Sequence, residues 1–338
     1  MKTLVCREFG PPSKVTAVQT LPPPAAIADN EVLIAVGHAT VSHATGLLIE
    51  GKYQKTPPLP FVPGTEGVGK VLQCGKNVQH TQPGDTVVFI CDWGAYSEQL
   101  VVHASTVYPV PAGLDPLQAL ALPISYGTAF TALHWRAQIQ EGDSLLVLGA
   151  GSGVGAAAVE LAAQIPHVKV IACASTEDKR QAALQSGAHH AVEPQHLIEQ
   201  VKAVTGGKGA TIVFDPVGGD LLLQALRCTA QNGKIVIIGF ASGKIPQVPM
   251  NILLVKNLTV LGFFYGQYIG WTPANERERY APAMQAMVAQ LFEMAQRDAI
   301  HPGISRVYAL EQLCEALDAL HGRQVQGKIA LKIPGDLT

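Results

Sequence analysis

The chain has 338 residues, which is enough length for two domains with separate apolar cores. Its formal net charge is −2 at pH 7 and no basic run occurs, so nucleic acid is not expected as a partner. Hydrophobic residues make up 48% of the chain, but no apolar run is long enough to span a bilayer, so no membrane partner is expected.

The start of the chain and the cysteines bear on the cell compartment. The first residues show no charged leader followed by an apolar stretch and a small-residue cleavage site. The six cysteines are scattered and form no Cys-x-x-Cys pair, which argues against a disulfide framework and a cysteine zinc knuckle. We therefore expect a cytoplasmic protein.

Short apolar runs broken by Gly and Pro predict a β-rich region at the start of the chain. The strands predicted there include Glu31–Val36, Gly67–Gln73, Thr86–Ile90 and Ser97–Val102. The Pro-Gly-Asp sequence at 83–85 is typical of a turn, so its aspartate is interpreted as a turn former rather than a catalyst.

From residue 125 onward, apolar strand-like runs alternate with helix-like stretches. Strands are predicted at 145–149, 168–174, 211–215, 234–239 and 258–262. Helices are predicted at 153–164, 177–186, 195–204 and 219–227. Such alternation is typical of a doubly wound parallel sheet, so an α/β fold is expected for this part of the chain.

The C-terminal segment is predicted to begin with a helix from Pro282 to Arg297. Strand, helix and strand follow between Ile304 and Ile333, and we expect this segment to return to the first domain. The predicted organisation is a discontinuous domain of residues 1–123 and 268–338, with an inserted domain of residues 124–267.

The glycine-rich stretch at 144–155 carries the strongest functional signal in the sequence. A strict G-x-G-x-x-G spacing is absent, because its last glycine would fall on Val154 or Ala156. However, a predicted strand precedes the glycines, a predicted helix follows, and a second strand completes a βαβ unit. This context favours a dinucleotide pyrophosphate at the helix N-terminus over a plain turn. The binding residues would be Gly151, Ser152, Gly153 and Val154.

The end of the second strand of this unit predicts which dinucleotide binds. NAD-selective folds place Asp or Glu there on the ribose hydroxyl, whereas this strand runs into Ser175 and Thr176. Two hydroxyl donors and the cationic Lys179, one helical turn further on, favour the 2′-phosphate of NADPH. Alternatively, Ser175 and Asp178 fit a helix capping box, and Lys179 is a solvated helix residue.

Several short motifs occur in order along nearly the whole chain. They are Arg7-Glu8-Phe9-Gly10, Glu50-Gly51-Lys52-Tyr53, Pro63-Gly64-Thr65-Glu66, Tyr126-Gly127-Thr128-Ala129, Asp215-Pro216-Val217-Gly218-Gly219 and Gly327-Lys328. Together they resemble the zinc-independent quinone oxidoreductase (zeta-crystallin-like) branch of the medium-chain dehydrogenase/reductase superfamily. The resemblance implies an α/β fold with a β-rich GroES-like catalytic domain and a Rossmann domain containing the doubly wound parallel sheet.

The resemblance also implies a site without metal. Zinc-dependent relatives use a cysteine after an early strand, and a histidine in a Gly-His-Glu stretch, as ligands of the catalytic zinc. Ser42 and Thr65 stand at those positions here, and hydroxyls are poor zinc ligands beside thiolate and imidazole. The four closely spaced cysteines of the structural zinc lobe are also absent from the sequence, so no metal is expected.

Three hydroxyl groups are the predicted catalytic donors. By resemblance, Thr128 lies beside the nicotinamide and Tyr53 lines the substrate cleft. Reduction of a quinone or enone places negative charge on an oxygen, which the hydroxyls of Tyr53, Thr128 and Ser42 are predicted to stabilise. Relatives usually carry Asn at position 42 and often Asp or Glu at position 45, so the 42–45 loop with Ser42 and Thr45 departs from the family.

The remaining predicted coenzyme contacts are Val217, Phe240, Phe263 and Lys328. The two phenylalanines follow predicted strands at their C-terminal ends, where ligands bind in parallel sheets, although core packing explains each of them equally well. Lys328 is either a coenzyme contact or simply the start of the last strand.

The sequence therefore predicts an NADPH-dependent reductase that transfers hydride to quinones or α,β-unsaturated carbonyls, with a small apolar carbonyl or quinone as substrate. An enoyl-thioester reductase, or a coenzyme-binding protein with little catalysis, is the alternative. The superfamily often dimerises through edge strands of the nucleotide domain, and the apolar run Leu258–Phe264 fits that role, so a homodimer is expected.

Overall fold

The computed structural model describes residues 1–322, 325 and 327–334, and the chain splits into two units. The first unit combines Met1–Ile124, Gly266–Asp298 and Pro302–Thr338, and the second combines Ser125–Tyr265 with Ala299–His301. Residues 335–338, which end the discontinuous domain predicted from the sequence, lie outside the described residues. In the described part of the chain, no helix is both long and apolar enough to cross a membrane.

The N-terminal segment of the first unit consists mainly of strands, as its Gly- and Pro-broken apolar runs predicted. Its strands are β1 (Lys2–Cys6), β2 (Thr16–Thr20), β3 (Glu31–Val41), β4 (Glu66–Cys74), β5 (Thr86–Ile90), β6 (Gln99–His103) and β7 (Val107–Pro109). Its α-helices are short and are α1 (Pro12–Val15), α2 (His43–Ile49) and α3 (Pro116–Leu120). A π-helical turn, Leu122–Tyr126, follows.

The second unit alternates strands and helices. Its strands are β8 (Ser144–Leu148), β9 (Lys169–Cys173), β10 (His190–Val192), β11 (Ala210–Asp215), β12 (Thr229–Ile237) and β13 (Thr259–Gly262). Its α-helices are α4 (Gly127–Phe130), α5 (Gly153–Ala163), α6 (Glu177–Gln185), α7 (Leu197–Val204), α8 (Gly219–Cys228) and α9 (Met250–Lys256). A second π-helical turn, Thr131–Ala137, follows α4.

The chain then returns to the first unit through one long helix and a strand, helix, strand sequence. These elements are α10 (Arg277–Gln296), β14 (Ile304–Ala309), α11 (Leu313–His321) and β15 (Lys328–Lys332). Strand β15 pairs with His38–Val41 of β3, while β6 pairs with Glu31–Ala35 of the same strand. The C-terminal segment thus completes the large sheet of the first unit, whose strands run in the order β14-β15-β3-β4-β5-β7.

The six strands of the second unit form a parallel sheet in the order β10-β9-β8-β11-β12-β13. The order reverses between β8 and β11, which is the switch point where doubly wound sheets bind ligands beyond the carboxyl ends of the strands. Apolar side chains such as Leu146, Ile171, Val213 and Ile235 are fully buried here, which explains why these strands read as continuous apolar runs. The predicted fold class is confirmed.

Some boundaries differ from the predictions. The helix predicted to start at Pro282 begins at Arg277, because the preceding charged residues are good helix formers and the arginine is anchored to Asp92. Strand β12 begins at Thr229, five residues before the predicted start at 234. Its early part contains Asn232, whose φ of 61° is unusual for a strand. Both elements begin with polar residues, so the pattern of apolar residues alone does not predict where they start.

Candidate functional site

The glycine turn between β8 and α5 is packed too closely for side chains. A Cβ atom at Gly155 would lie 2.3 Å from the carbonyl oxygen of Gly149, and Gly149 itself has φ +63°. Ser152 precedes α5 and its hydroxyl accepts a hydrogen bond from the Gly155 N–H at 3.1 Å. The N–H groups of Gly153 and Val154 lie in the first turn of α5 and therefore have no acceptor within the helix. An anion site at a helix N-terminus requires such N–H groups.

Lys179 lies directly against this turn. A Cβ atom at Gly151 would stand 2.7 Å from Cδ and 2.9 Å from Cγ of the lysine, so the aliphatic stem covers the glycine. The structure therefore brings together Gly151 and Lys179, which the sequence had predicted as separate contacts of the pyrophosphate and the 2′-phosphate. Only a residue without a side chain leaves room for that stem.

The start of α6 differs from the predicted capping box. The hydroxyl of Thr176, and not that of Ser175, caps the helix by accepting from the Lys179 N–H at 3.4 Å. Thr176 has the extended backbone of a cap residue, and Ser175 is exposed beside it. The assignment of Ser175 and Asp178 as the capping pair is therefore wrong, and the Ser175 hydroxyl is released from that role.

A cluster of charges that the sequence analysis overlooked surrounds the end of β9. Arg180 donates through Nη1 to the carbonyl oxygen of Ala174 at 3.1 Å, and its Nη2 lies 2.7 Å from Glu177 and 3.4 Å from Glu193. Hydrogen bonds from Gln181 and Arg180 lower the pKa of Glu177, so the glutamate is ionised at neutral pH. Two carboxylates thus stand near the strand end and share one arginine, which leaves one negative charge in this cluster.

Val217, Phe240 and Phe263 occupy the far side of the switch point. A Cβ atom at Gly149 would lie 2.8 Å from Cγ2 of Val217, so the valine contacts the glycine turn. Phe240 follows β12 and its ring covers Gly218, while Phe263 directly follows β13 and donates its N–H to Ile237.

The turn that carries Val217 is held by Asp215 at the end of β11. Oδ1 of this fully buried aspartate accepts the N–H groups of Val217 at 2.8 Å and Gly218 at 2.9 Å. Oδ2 has no hydrogen-bond partner in the described part of the chain. Burial raises the pKa of Asp215 from its ordinary value, while the two N–H bonds oppose that effect. The sequence motif around Val217 therefore shapes a fixed turn at the sheet edge.

Thr128 is buried within the short helix α4. The π-helical turn Thr131–Ala137 begins immediately after this helix, and the Thr131 hydroxyl donates to the carbonyl oxygens of Gly127 at 2.6 Å and Thr128 at 3.3 Å. Such π-helical insertions occur often at functional sites. The predicted coenzyme contact thus lies in an irregular, well-anchored helical segment.

In the first unit, Ser42 begins helix α2 rather than standing in a loop. Its N–H donates to the Thr45 hydroxyl at 3.2 Å, and the two side-chain hydroxyls lie 3.4 Å apart. Thr45 is in turn 3.5 Å from the hydroxyl of Tyr96, which donates to the carbonyl oxygen of Thr40 at 2.9 Å. The interpretation of 42–45 as a loop is wrong, because Ser and Thr three residues apart form a helix start.

Tyr53 lines a small, partly open cleft of the first unit. The cleft is lined by Leu48, Tyr53, Lys55, Thr65, Asp92 and Trp271. The rings of Tyr53 and Trp271 meet edge to face with centroids 6.3 Å apart. Burial raises the pKa of Tyr53 from its ordinary value, so the phenol keeps its proton at neutral pH.

The polar wall of this cleft is an ion network. Asp92 accepts from Lys55 Nζ at 2.8 Å through Oδ2 and from Arg277 Nη2 at 2.9 Å through Oδ1. Lys55 also lies over the ring of Trp93, 5.4 Å from its centroid. Two cations therefore face one carboxylate. Arg277 begins α10, far along the chain, and no local sequence pattern connects it with Asp92.

Lys328 starts strand β15 and its ammonium group forms an ion pair with Glu66. The same Oε2 of this fully buried glutamate accepts from the Thr40 hydroxyl at 2.9 Å, and Oε1 accepts from the Ile124 N–H at 2.8 Å. The structure thus gives Lys328 a partner within its own unit, and the coenzyme contact predicted for it stays a prediction.

The hydroxyl-bearing residues at the positions implied for zinc ligands have other surroundings. Ser42 caps α2, and Thr65 lies in the wall of the cleft beside Tyr53. Within residues 1–322, 325 and 327–334, no group of three or more His, Cys, Asp or Glu side chains is arranged to hold a metal ion.

Comparisons with known proteins agree with this architecture. The family model of the alcohol dehydrogenase GroES-like domain matches residues 28–112, and that of the zinc-binding dehydrogenases matches residues 153–289. Quinone oxidoreductase-like protein 2 of Rattus norvegicus is 34% identical over 334 residues, which cover 98% of this chain and 92% of the rat protein.

Two solved structures illustrate the range of coenzymes among similar proteins. Escherichia coli quinone oxidoreductase, crystallised as a complex with NADPH, superposes with a TM-score of 0.87 at 27% identity, covering 98% of this chain and 100% of that one. An NAD-dependent alcohol dehydrogenase superposes with a TM-score of 0.86 at 28% identity and the same coverage. The chain therefore belongs to the zinc-independent quinone oxidoreductase branch of the medium-chain dehydrogenase/reductase superfamily and is an oxidoreductase of that family.

Proposed function

We propose that this oxidoreductase uses NADPH to reduce quinones or α,β-unsaturated carbonyls without a metal ion. The observation that carries the proposal is the contact between the Lys179 stem and Gly151 at the start of α5. A cation on this stem stands beside a helix N-terminus, and helix N-termini favour anions such as a pyrophosphate. That combination suits a dinucleotide with an additional phosphate.

The second unit supplies the proposed coenzyme contacts. The N-terminal N–H groups of α5, at Gly153 and Val154, would bind the pyrophosphate together with Gly151 and Ser152. Ser175, Thr176 and Lys179 would bind the 2′-phosphate, since they offer two hydroxyl donors and a cation. The proposed nicotinamide contacts of this unit are Thr128, Val217, Phe240 and Phe263.

When bound, NADPH supplies the hydride for the reduction. The protein must then stabilise the negative charge that develops on the substrate oxygen, for which neutral hydroxyl donors suffice in a dry site. Tyr53 is the proposed donor in the cleft of the first unit, because burial keeps its phenol protonated. Ser42 at the start of α2 and Thr128 in α4 are the further proposed donors.

The proposal of a metal-free reaction follows from the chemistry of the available ligands. Serine and threonine hydroxyls bind zinc far less readily than thiolate and imidazole, and Ser42 and Thr65 offer only hydroxyls. Glu66 is the carboxylate next to Thr65, and it is already paired with Lys328. Hydrogen bonds from hydroxyl groups, rather than a metal ion, therefore have to stabilise the negative charge that develops on the substrate oxygen.

Oxidation of NADPH by a panel of acceptors tests the proposal. The purified full chain, freed of metal with a chelator, is expected to oxidise NADPH with 9,10-phenanthrenequinone and 2-cyclohexen-1-one, and the rate should be unchanged by added zinc. Tight NADPH binding without turnover across the panel would instead identify a binding protein. Turnover limited to an enoyl thioester would identify the enoyl-thioester reductase.

We also propose that the chain forms a homodimer through the edge of the second unit. Strand β13 pairs only with β12 among the described strands, so its outer backbone groups are available to a second strand. Large apolar side chains on and near this edge are exposed, among them Met250, Leu254, Val255, Val260 and Phe264. A second copy of this chain suits the β13 edge, because two antiparallel β13 strands form a self-complementary contact about a two-fold axis.

A further inference from the structure

Helix α5 carries a buried carboxyl group, that of Glu160, which is 7% exposed. Its Oε2 accepts two hydrogen bonds, one from the hydroxyl of Tyr126 at 2.8 Å and one from the His301 N–H at 2.7 Å. Both donors are uncharged, and both belong to the second unit. A carboxyl group is costly to bury without such partners, so this junction holds three segments of the second unit together.

The hydrogen bond between Tyr126 and Glu160 has a fixed direction. Burial raises the pKa of Tyr126 above its ordinary value, and the negative charge of Glu160 raises it further. The phenol therefore keeps its proton at neutral pH and donates it to the carboxyl oxygen.

Tyr126 directly precedes the short helix that carries Thr128. Helix α4 has only four residues, Gly127–Phe130, and lies between two π-helical turns. Four residues make about one helical turn, which few backbone hydrogen bonds hold in place. The Thr131 hydroxyl anchors the end of α4, and the Tyr126 hydroxyl anchors its beginning. Thr128 therefore lies between two side-chain anchors.

The acceptor for Tyr126 lies on the helix that we propose to bind the pyrophosphate. Glu160 lies about two helical turns after Gly153, the first residue of α5. Helix α4 packs against this same helix. The hydrogen bond between Tyr126 and Glu160 therefore fixes the segment that contains Thr128 relative to the N–H groups at the start of α5.

We propose that Glu160 is a positioning residue for hydride transfer. It acts through the hydroxyl of Tyr126, which holds Thr128, and with it the nicotinamide, at a set distance from the pyrophosphate. This inference rests on the proposed reductase function and adds to it a residue that acts without touching the coenzyme. Hydride transfer is sensitive to geometry, since a misplacement of about 1 Å can slow a reaction about 100-fold. The pyrophosphate contacts at the start of α5 do not use this hydrogen bond, so coenzyme affinity is set separately.

Tyr126→Phe removes the hydroxyl and keeps the ring. The full chain is loaded with NADPH and mixed with 9,10-phenanthrenequinone in single turnovers. The rate constant is expected to fall about tenfold, while the dissociation constant of NADPH, measured by calorimetry, changes by less than about twofold. The rate constant reports the geometry of the bound coenzyme, whereas the amplitude reports the fraction of folded protein. A merely structural loss would therefore lower the amplitude alone.

Two further variants serve as comparisons. Glu160→Gln is the conservative variant and keeps an oxygen that accepts from the Tyr126 hydroxyl, so its rate constant is expected to stay within about twofold of the wild type. Thr229→Val removes another buried hydroxyl of the second unit, which donates to the carbonyl oxygen of Ala225 at 2.7 Å. This matched control is expected to lower the melting temperature and to leave the rate constant unchanged.

Glu160→Asp keeps the test decisive if Tyr126→Phe does not fold. It retains the carboxyl group but shortens the side chain by a methylene group, so the bond to Tyr126 lengthens or α4 shifts toward α5. The single-turnover rate constant is again expected to fall about tenfold, with the affinity for NADPH retained.

The possible results separate the inference from the proposed function. An unchanged rate constant in Tyr126→Phe, or in Glu160→Asp where it replaces that variant, overturns the positioning role. Equal losses of rate and of NADPH affinity also overturn it, because Glu160 would then act on coenzyme binding. A loss in Glu160→Gln as large as in Tyr126→Phe overturns it as well, because the charge and not the hydrogen bond would matter. If the wild type oxidises NADPH with no acceptor of the panel, the reductase function itself fails, and the inference fails with it.

Discussion

Lys328 and Glu66 form an ion pair in which the lysine side chain is only 11% exposed and the glutamate is fully buried. The two residues are 262 positions apart, and they join strand β15 of the C-terminal segment to the start of β4. Thr40 and the Ile124 N–H complete the hydrogen bonds to the carboxylate. The pair therefore fastens the returning C-terminal segment to the first sheet.

Replacement of Lys328 by methionine is expected to lower the free energy of unfolding by about 3–5 kcal/mol, because it leaves a buried carboxylate without its cation. Urea denaturation measures this change. Lys332→Met, on an exposed position of the same strand, is the matched control and should change stability by less than about 0.5 kcal/mol. An unchanged stability of Lys328→Met, combined with a large loss of NADPH affinity, would support the predicted coenzyme contact instead.

Lys179→Ala is expected to weaken NADPH binding about tenfold or more and to leave NADH binding unchanged, because only NADPH carries the 2′-phosphate. Isothermal titration of each coenzyme gives the two dissociation constants. Lys208→Ala, an exposed lysine elsewhere in the second unit, serves as the control. An equal loss of affinity for both coenzymes would contradict the assigned phosphate contact.

Gly155→Ala is expected to abolish binding of either coenzyme, because the new methyl group would stand 2.3 Å from the Gly149 carbonyl oxygen and force the turn open. Gly262→Ala is the control, since a Cβ atom there has no described atom within 4 Å. Coenzyme fluorescence titration and a thermal melt measure the two effects separately. Normal coenzyme affinity in Gly155→Ala would mean that this turn is not the binding site.

Tyr53→Phe is expected to lower the rate of hydride transfer by about tenfold or more and to leave NADPH affinity intact, because it removes a donor to the developing oxyanion. The pKa of Tyr53 is raised above its ordinary value of 10.0, so the wild-type phenol remains protonated up to and beyond that pH. The rate should therefore show no loss from Tyr53 ionisation below pH 10.0.

Stopped-flow measurement of NADPH oxidation between pH 6 and 10 tests the role of Tyr53, and absorbance at 295 nm follows ionisation of the phenol. The folded chain holds this proton more tightly than the unfolded chain, so the contribution of Tyr53 to stability declines as the pH rises above 10.0. A wild-type rate in Tyr53→Phe would remove the residue from the mechanism.

Leu254→Glu is expected to convert the proposed dimer to a single chain, because it places a charge on an apolar side chain that is 77% exposed in α9. Light scattering after size-exclusion chromatography gives the mass directly. Leu184→Glu, on an exposed position of α6, controls for the effect of added charge. A wild-type mass of one chain would rule out the proposed assembly.

The second unit was predictable because its structure is encoded locally. Buried parallel strands such as β8 and β11 give continuous apolar runs, and the glycines after β8 mark a turn that excludes side chains. The start of α10 at Arg277 differs from the predicted start at Pro282, because the first residues of the helix are polar and Arg277 is held by a contact with Asp92. That contact joins residues 185 positions apart.

The cleft of the first unit was only partly predictable, because its lining residues come from distant parts of the chain. Tyr53 was found through a family motif, whereas Trp271 lies in a segment without periodicity or motif. Its contact with the Tyr53 ring, and the lack of a partner for its N–H group among the described residues, arise only once the C-terminal segment has folded back onto the first sheet. Unpaired tryptophan N–H groups are a property of packing, which no single sequence pattern records.

The contact between Gly151 and Lys179 couples two positions of the proposed coenzyme site. Any residue larger than glycine at position 151 pushes the lysine stem aside, and a smaller side chain at position 179 removes the reason for glycine at 151. Laboratory redesign of this site should therefore vary positions 151 and 179 together, since a change at either one alters the space available to the other.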